Sequence, residues 1–244
     1  MPLLEVQRVS KGFGGVRAVH DVSFVLDEGE LVGIMGPNGS GKTTLFNVIA
    51  GSLAPDAGHV RLGGQEIGGL APHRVCAHGI ARTFQLVRPF AGLTALENVL
   101  VGRLFGRAAG AGAVAEAERL LALVGLEGRG RVPAAQLTLI DRKRLELARA
   151  LATSPRLVLL DEFMAGLNPA ETATAMTLIR TLVGDGLTVL MVEHIVWALM
   201  ELSRRIIVLS AGEKIAEGPP EAIAADPSVV EVYLGSDRGS PMRA

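Results

Sequence analysis

Residues 36–44 run Gly-Pro-Asn-Gly-Ser-Gly-Lys-Thr-Thr, and no other stretch of the chain constrains its fold as strongly. The apolar run Leu31-Val32-Gly33-Ile34-Met35 precedes it, and Leu45-Phe46-Asn47-Val48-Ile49-Ala50 follows. A strand, a glycine-rich turn and a helix are expected in that order, with the turn fitting G-x-x-x-x-G-K-[ST]. The residue types have a chemical reason. Gly36, Gly39 and Gly41 let the backbone curl so that successive amides point inward and form an anion nest. The helix opening near Lys42 adds the positive end of its dipole. Lys42 is placed to reach the β- and γ-phosphates of a nucleotide, and the Thr43 hydroxyl to ligate Mg²⁺. Pro37, Asn38, Ser40 and Thr44 complete the cradle. The loop alone does not separate a pump, a kinase, a GTPase or a DNA-repair ATPase.

The rest of the composition narrows the class. The chain has 244 residues, 49% of them hydrophobic and only 4% aromatic, so the core is aliphatic. A net charge of −1 argues against a broad nucleic-acid surface. The single cysteine, Cys76, builds neither a disulfide framework nor a zinc site and is expected as a small buried residue. The N-terminal residues carry no basic segment followed by an apolar run, so no signal peptide is expected. The longest apolar candidate, 187–200, is broken by Glu193 and His194, and no run reaches the roughly 20 residues of a membrane span.

Along the chain, 3–9 and 22–26 are expected as strands around a turn at Gly12, Gly14 and Gly15 that holds Phe13. Phe13 is a surface-packed ring or a face on which adenine stacks. A helix over 72–78 and a strand over 80–84 closed by Gln85 precede an irregular loop. Thr94 and Glu97 form a capping box for a helix, and a second helix covers about 114–124. Thr138 and Asp141 open a long helix through Ala152. The continuous aliphatic run 157–160 ends in Asp161-Glu162, and 187–192 ends in Glu193-His194. Such runs mark buried parallel strands, and ligands gather at the carboxyl ends of those strands. A helix lies between them from about 169 to 183, and a hairpin turns at Ala211-Gly212. Residues 236–244 are expected as a loose polar tail.

Folding is therefore expected to bring Asp161 and Glu162 beside the phosphate loop. Asp161 with Thr43 offers oxygen ligands suited to Mg²⁺. Glu162 is a candidate base for the attacking water, or a group that only orients it. Gln85 and His194 each follow an aliphatic strand. A carboxamide there suits the metal shell or the water, and an imidazole suits the γ-phosphate. The other histidines are given structural roles.

The loop, Gln85, the capped helix start, Asp161-Glu162, Gly166 to Asn168 and His194 occur in the order of the ABC-transporter ATPase family, which residues 3–235 resemble. More narrowly, Ala81-Arg82-Thr83-Phe84-Gln85, Ala165-Gly166-Leu167-Asn168-Pro169, Val192-Glu193-His194 and Val232-Tyr233-Leu234-Gly235 resemble the ATPase subunits of branched-chain amino acid importers, a branch whose relatives serve urea or short-chain amides. The resemblance implies an α/β phosphate-loop fold with a mixed central sheet, an antiparallel β subdomain and a helical subdomain inserted at about 88–154. It implies one ATPase domain over 1–235. It implies ATP and Mg²⁺, with Phe13 stacking on adenine, Gln85 sensing metal and water, Asp161 holding Mg²⁺, Glu162 as catalytic base and His194 as the switch at the γ-phosphate. It implies a second ATPase subunit clamped head to tail, each site joining one phosphate loop to the other subunit's signature helix. A membrane permease on the cytoplasmic face and, indirectly, an extracytoplasmic solute-binding protein complete the assembly, with no nucleic acid. Exporter ATPases and soluble family members acting on nucleic acid or ribosomes are the alternatives.

The chain departs from that family at its signature. L-S-G-G-Q is replaced by Leu137-Thr138-Leu139-Ile140-Asp141. Thr138 keeps the hydroxyl expected to face nucleotide. Both glycines are lost, and Asp141 brings a negative charge toward another subunit's γ-phosphate. The expectation is a paralogous heterodimer with two unequal sites in preference to a homodimer. Phe163, where Pro is common, alters the turn and not the ligands.

Overall fold

A computed structural model describes residues 2–84, 87–107 and 112–234, with Leu234 by its backbone alone. The chain begins with β1 (Leu4–Phe13) and β2 (Val16–Leu26), then β3 (Leu31–Met35) and α1 (Lys42–Ile49). Strands β4 (Ala57–Leu62) and β5 (Gln65–Glu66), helix α2 (Pro72–His78) and β6 (Ile80–Arg82) follow. Next come α3 (Ala95–Phe105), α4 (Ala113–Leu123), α5 (Leu139–Ala152) and β7 (Leu157–Asp161). The chain continues through α6 (Pro169–Gly184), β8 (Thr188–Val192), α7 (Val196–Leu202), β9 (Arg205–Ser210) and β10 (Glu213–Gly218), then α8 (Pro220–Ala225) and α9 (Pro227–Leu234).

Two sheets organise these elements. β2-β1-β4-β5 is antiparallel throughout. β10-β9-β3-β8-β7-β6 is parallel except for the β9–β10 hairpin. Helices α3 to α5 lie between β6 and β7 in sequence, and α3 packs on both α4 and α5. The architecture is the mixed sheet, antiparallel sheet and helical group expected from the sequence.

The continuous aliphatic strands follow from burial on both faces. Leu157 and Leu159 join Phe46, Ile34 and Val6 in one core cluster. Their neighbours Val158 and Leu160 join Leu145, Met191 and Ile179 in the other. All five residues of β3, of β7 and of β8 are buried. At the base of the sheet the buried carboxylate of Glu30 accepts from Arg205 at 2.7 and 3.0 Å.

Helix starts follow the sequence closely. Thr94 and Glu97 cap α3 reciprocally, at 3.2 and 2.7 Å. Asn168 and Glu171 do the same for α6. The first hairpin differs from expectation. β1 continues to Phe13 because its register shifts between Val6 and Val9 and again before Lys11. Arg8 and Asp21 take positive φ at those irregularities. A bulge carries the ladder onward while breaking the period-2 alternation that marks a strand in sequence. β6 is shorter than expected. Its ladder ends with Thr83 N–H on Leu159 O, and the Phe84 amide turns away to Glu146 Oε1 at 3.1 Å. Cys76 is only half-buried. No helix among the described residues is long and apolar enough to cross a membrane.

Candidate nucleotide site

The phosphate loop joins β3 to α1 as the sequence requires. Two glycines are obligatory for steric reasons. A Cβ on Gly36 would lie 2.1 Å from Leu209 O, and one on Gly41 would lie 2.2 Å from Ala18 O. Gly41 also has φ +100, in the left-handed region that disfavours any side chain. The loop is thus wedged between β9 and β2. Lys42 is buried, and its ammonium donates to Gly36 O at 2.7 Å and Pro37 O at 2.8 Å. Burial holds its pKa below the usual lysine value, and the Glu162 carboxylate opposes that shift.

A cleft opens at this loop. Phe13 and Ala18 from the antiparallel sheet form one wall, residues 38–44 the floor, and Glu162 and His194 the opposite wall. Phe13 ends β1 and is 48% exposed, leaving a ring face open, with Lys11 Nζ 5.8 Å from its centroid. Glu162 Oε1 and His194 Nε2 are 2.8 Å apart. They meet because β7 and β8 are parallel neighbours in which Asp161 pairs with Val192.

Asp161 lies behind this wall, buried, with Oδ2 accepting from Arg82 Nη2 at 2.7 Å. Arg82 also donates to Asn47 Oδ1 on α1 at 2.6 Å. Its guanidinium lies over the Phe46 and Phe84 rings, 5.9 and 5.4 Å from their centroids. Arg82 and Asn47 received no role from the sequence. Gln85 lies outside the described residues. Among the described residues no three His, Cys, Asp or Glu side chains converge on one point. A Mg²⁺ held by Thr43 and Asp161 would therefore take most of its oxygens from phosphates and water, which suits that ion.

Thr138 starts α5 as its pattern with Asp141 predicts, but the Asp141 charge sits differently from expectation. Thr138 caps α5, its Oγ1 accepting the Asp141 amide at 3.3 Å. The Asp141 carboxylate does not face outward. It is buried, accepts from Thr138 Oγ1 at 2.8 Å, and forms ion pairs with Arg129 and Arg144. Two guanidiniums and a hydroxyl on the chain itself satisfy that anion and turn it inward. Leu139 beside it stays 54% exposed.

Two further buried charges surround the acidic wall. Lys143 of α5 donates to Phe163 O at 2.9 Å and Glu162 O at 3.4 Å. Glu193 Oε1 accepts the Met164 amide at 2.8 Å, and burial pushes its carboxyl up to about 7. The sequence carries a signal for Lys143. It sits on the stripe with Leu147 and Ala150, and a charge on the core-facing stripe of a helix needs a buried partner.

Phosphate-loop residues 38–44, the Glu162 carboxylate just after β7 and the His194 imidazole thus share one cleft. Residues 19–165 match the family model described as ABC transporter. The chain belongs to the ABC transporter family. It is one of that family's ATP-binding cassettes, which are ATPases. Its residues 213–238 match a second model, described as branched-chain amino acid ATP-binding cassette transporter. The cassette is 39% identical to the high-affinity branched-chain amino acid transport ATP-binding protein BraF of Pseudomonas aeruginosa, covering 96% of this chain and 98% of that one. It is similar to the ADP conformation of MJ1267, an ATP-binding cassette of an ABC transporter, at 31% identity and TM-score 0.87, with 96% and 99% of the two chains covered. It also resembles the dimeric post-hydrolysis state of the cassette MJ0796 bound to ADP and Pi, at 30% identity and TM-score 0.79, with 89% and 98% covered.

Proposed function

We propose that this cassette is the ATP-hydrolysing subunit of an importer for branched-chain or other amino acids, working through a separate membrane permease on the cytoplasmic face. The observation that carries the hydrolytic part is the Glu162–His194 pair facing Lys42 and the amide nest across one cleft. The match of the C-terminal segment and the full-length likeness to BraF support the choice of solute.

The cleft geometry supports the roles of Lys42, Glu162 and His194, and the family resemblance supports those of the other residues. Lys42 and the loop amides bind the phosphates, and the Phe13 ring receives the adenine. Thr43 and Asp161 hold Mg²⁺, which when bound neutralises phosphate charge, and Gln85 serves the same shell. Arg82 fixes Asp161 through Oδ2. Glu162 takes or orients the proton of the attacking water, and His194 faces the γ-phosphate. Thr138 contributes to the nucleotide of a second ATPase subunit. The permease rests on a cleft between α2, α3 and α5, where Phe84, Phe90 and Phe105 are each more than 45% exposed. A solute-binding protein delivers cargo to the permease.

The second subunit is a paralogue carrying the signature glycines. Here the Asp141 amide of α5 donates to Thr138 Oγ1, the Thr138 hydroxyl donates in turn to the Asp141 carboxylate, and exposed Leu139 stands where close backbone approach is needed. Reconstituted in vesicles with its second ATPase subunit, the permease and the solute-binding protein, the parent cassette should drive ATP-dependent solute uptake, and Lys42→Ala should abolish it along with nucleotide binding at this subunit's loop. Uptake unchanged by that substitution would reject the assignment.

A further inference from the structure

We infer that Lys143 is a positioning residue for hydrolysis, its buried ammonium holding the turn at 162–164 so that the Glu162 carboxylate faces the phosphate loop. The inference rests on the role proposed for Glu162.

The turn is one an ordinary sequence would not choose. Glu162 has φ +48, in the left-handed region where a Cβ meets the carbonyl. Such a conformation costs on the order of 1–3 kcal/mol and persists only when its surroundings over-determine it. The surroundings here do so from three elements. Glu162 N–H donates to Val192 O of β8 at 2.9 Å. Met164 N–H donates to Glu193 Oε1 at 2.8 Å. Lys143 Nζ reaches from α5 to Phe163 O at 2.9 Å and Glu162 O at 3.4 Å. Lys143 thus holds the Phe163 carbonyl and shares the Glu162 carbonyl with the Ala165 amide, which donates to it at 3.1 Å.

Lys143 does not line the cleft, so it acts through the backbone of Glu162 and not on the nucleotide. Its burial is nearly complete, at 4% exposure, and Glu193 beside the same turn is at 3%. Withdrawing an ammonium from water is costly, and an apolar side chain on this stripe of α5 would pack without that cost. The charge is spent on the carbonyls flanking the acidic wall. Burial holds the Lys143 pKa below the ordinary value, with Glu193, Glu146 and Glu162 opposing, which fits a cation kept by its partners.

The test compares Lys143→Met, Lys143→Arg and Glu162→Gln in the full chain together with its second subunit. ATP turnover, affinity for a fluorescent ATP analogue and thermal melting are measured for each. Lys143→Met should bind the analogue within about twofold of the parent and melt cooperatively, yet turn over at least about tenfold more slowly. Lys143→Arg, which retains a cationic donor, should recover most of that loss. Parental turnover in Lys143→Met, a loss of affinity in step with turnover, or equal loss in both lysine variants would overturn the inference. Parental turnover in Glu162→Gln would instead remove the role of Glu162 on which it stands.

Discussion

At the scale of single residues, the site divides into groups the sequence announces and groups it hides. Lys42, Thr43, Glu162 and His194 are legible because each sits within two residues of the end of an aliphatic run or inside a glycine pattern whose chemistry admits few uses. The partners of Arg82 and Lys143 are not legible, although the stripe of α5 marks Lys143 as a buried charge. These partners, Asp161, Asn47 and the Glu162 and Phe163 carbonyls, are distant in sequence, and nothing local fixes where a long cationic side chain ends. Asp141 shows the opposite error. Its charge is visible, but the guanidinium of Arg129, which turns it inward, comes from a loop whose path the sequence does not specify. Gly41 offers a sharp test of the loop's packing. With φ +100 and Ala18 O 2.2 Å from any added Cβ, Gly41→Ala should destabilise the fold by more than about 2 kcal/mol in urea denaturation. A change below half that value would mean the loop relaxes freely.

At the scale of elements, the parallel strands and capped helices were readable because burial on both faces and reciprocal caps leave strong marks. The ends of β1 and β6 were not. Bulges in β1 break the alternation, and the ladder of β6 stops where Phe84 exchanges its strand partner for Glu146. Glu146 gives α5 a pH dependence. Burial raises its carboxyl from the ordinary 4.5 to about 7. The folded chain then keeps a proton that the unfolded chain has already lost. Stability falls as pH climbs between those two values and stays lowered above them. Glu146→Gln keeps an acceptor for the Phe84 amide without the charge. Its stability gain over the parent should reach on the order of 1–3 kcal/mol at pH 8 and be smaller at pH 5.5. Equal gains at both would show that burial of this charge is not what costs stability.

At the scale of the whole molecule, the cleft exists only because two sheets meet at it. Phe13 arrives from the antiparallel sheet, and Glu162 and His194 from the carboxyl ends of the parallel one. One cassette supplies that cleft but, by the proposal above, only a poor face for its partner's. Purified alone, the chain should hydrolyse ATP slowly, and a glycine-bearing second subunit should raise the rate. Full activity without any partner would rule out unequal sites. Glu162→Gln should leave nucleotide affinity intact and cut turnover about 10²–10³-fold, the effect of losing one positioned interaction. The most direct test is a crystal structure of that variant with ATP and Mg²⁺. The account predicts the triphosphate over residues 36–44, adenine against Phe13, and Gln at 162 with His194 facing the γ-phosphate. A nucleotide bound elsewhere, or residue 162 turned away to solvent, would contradict it.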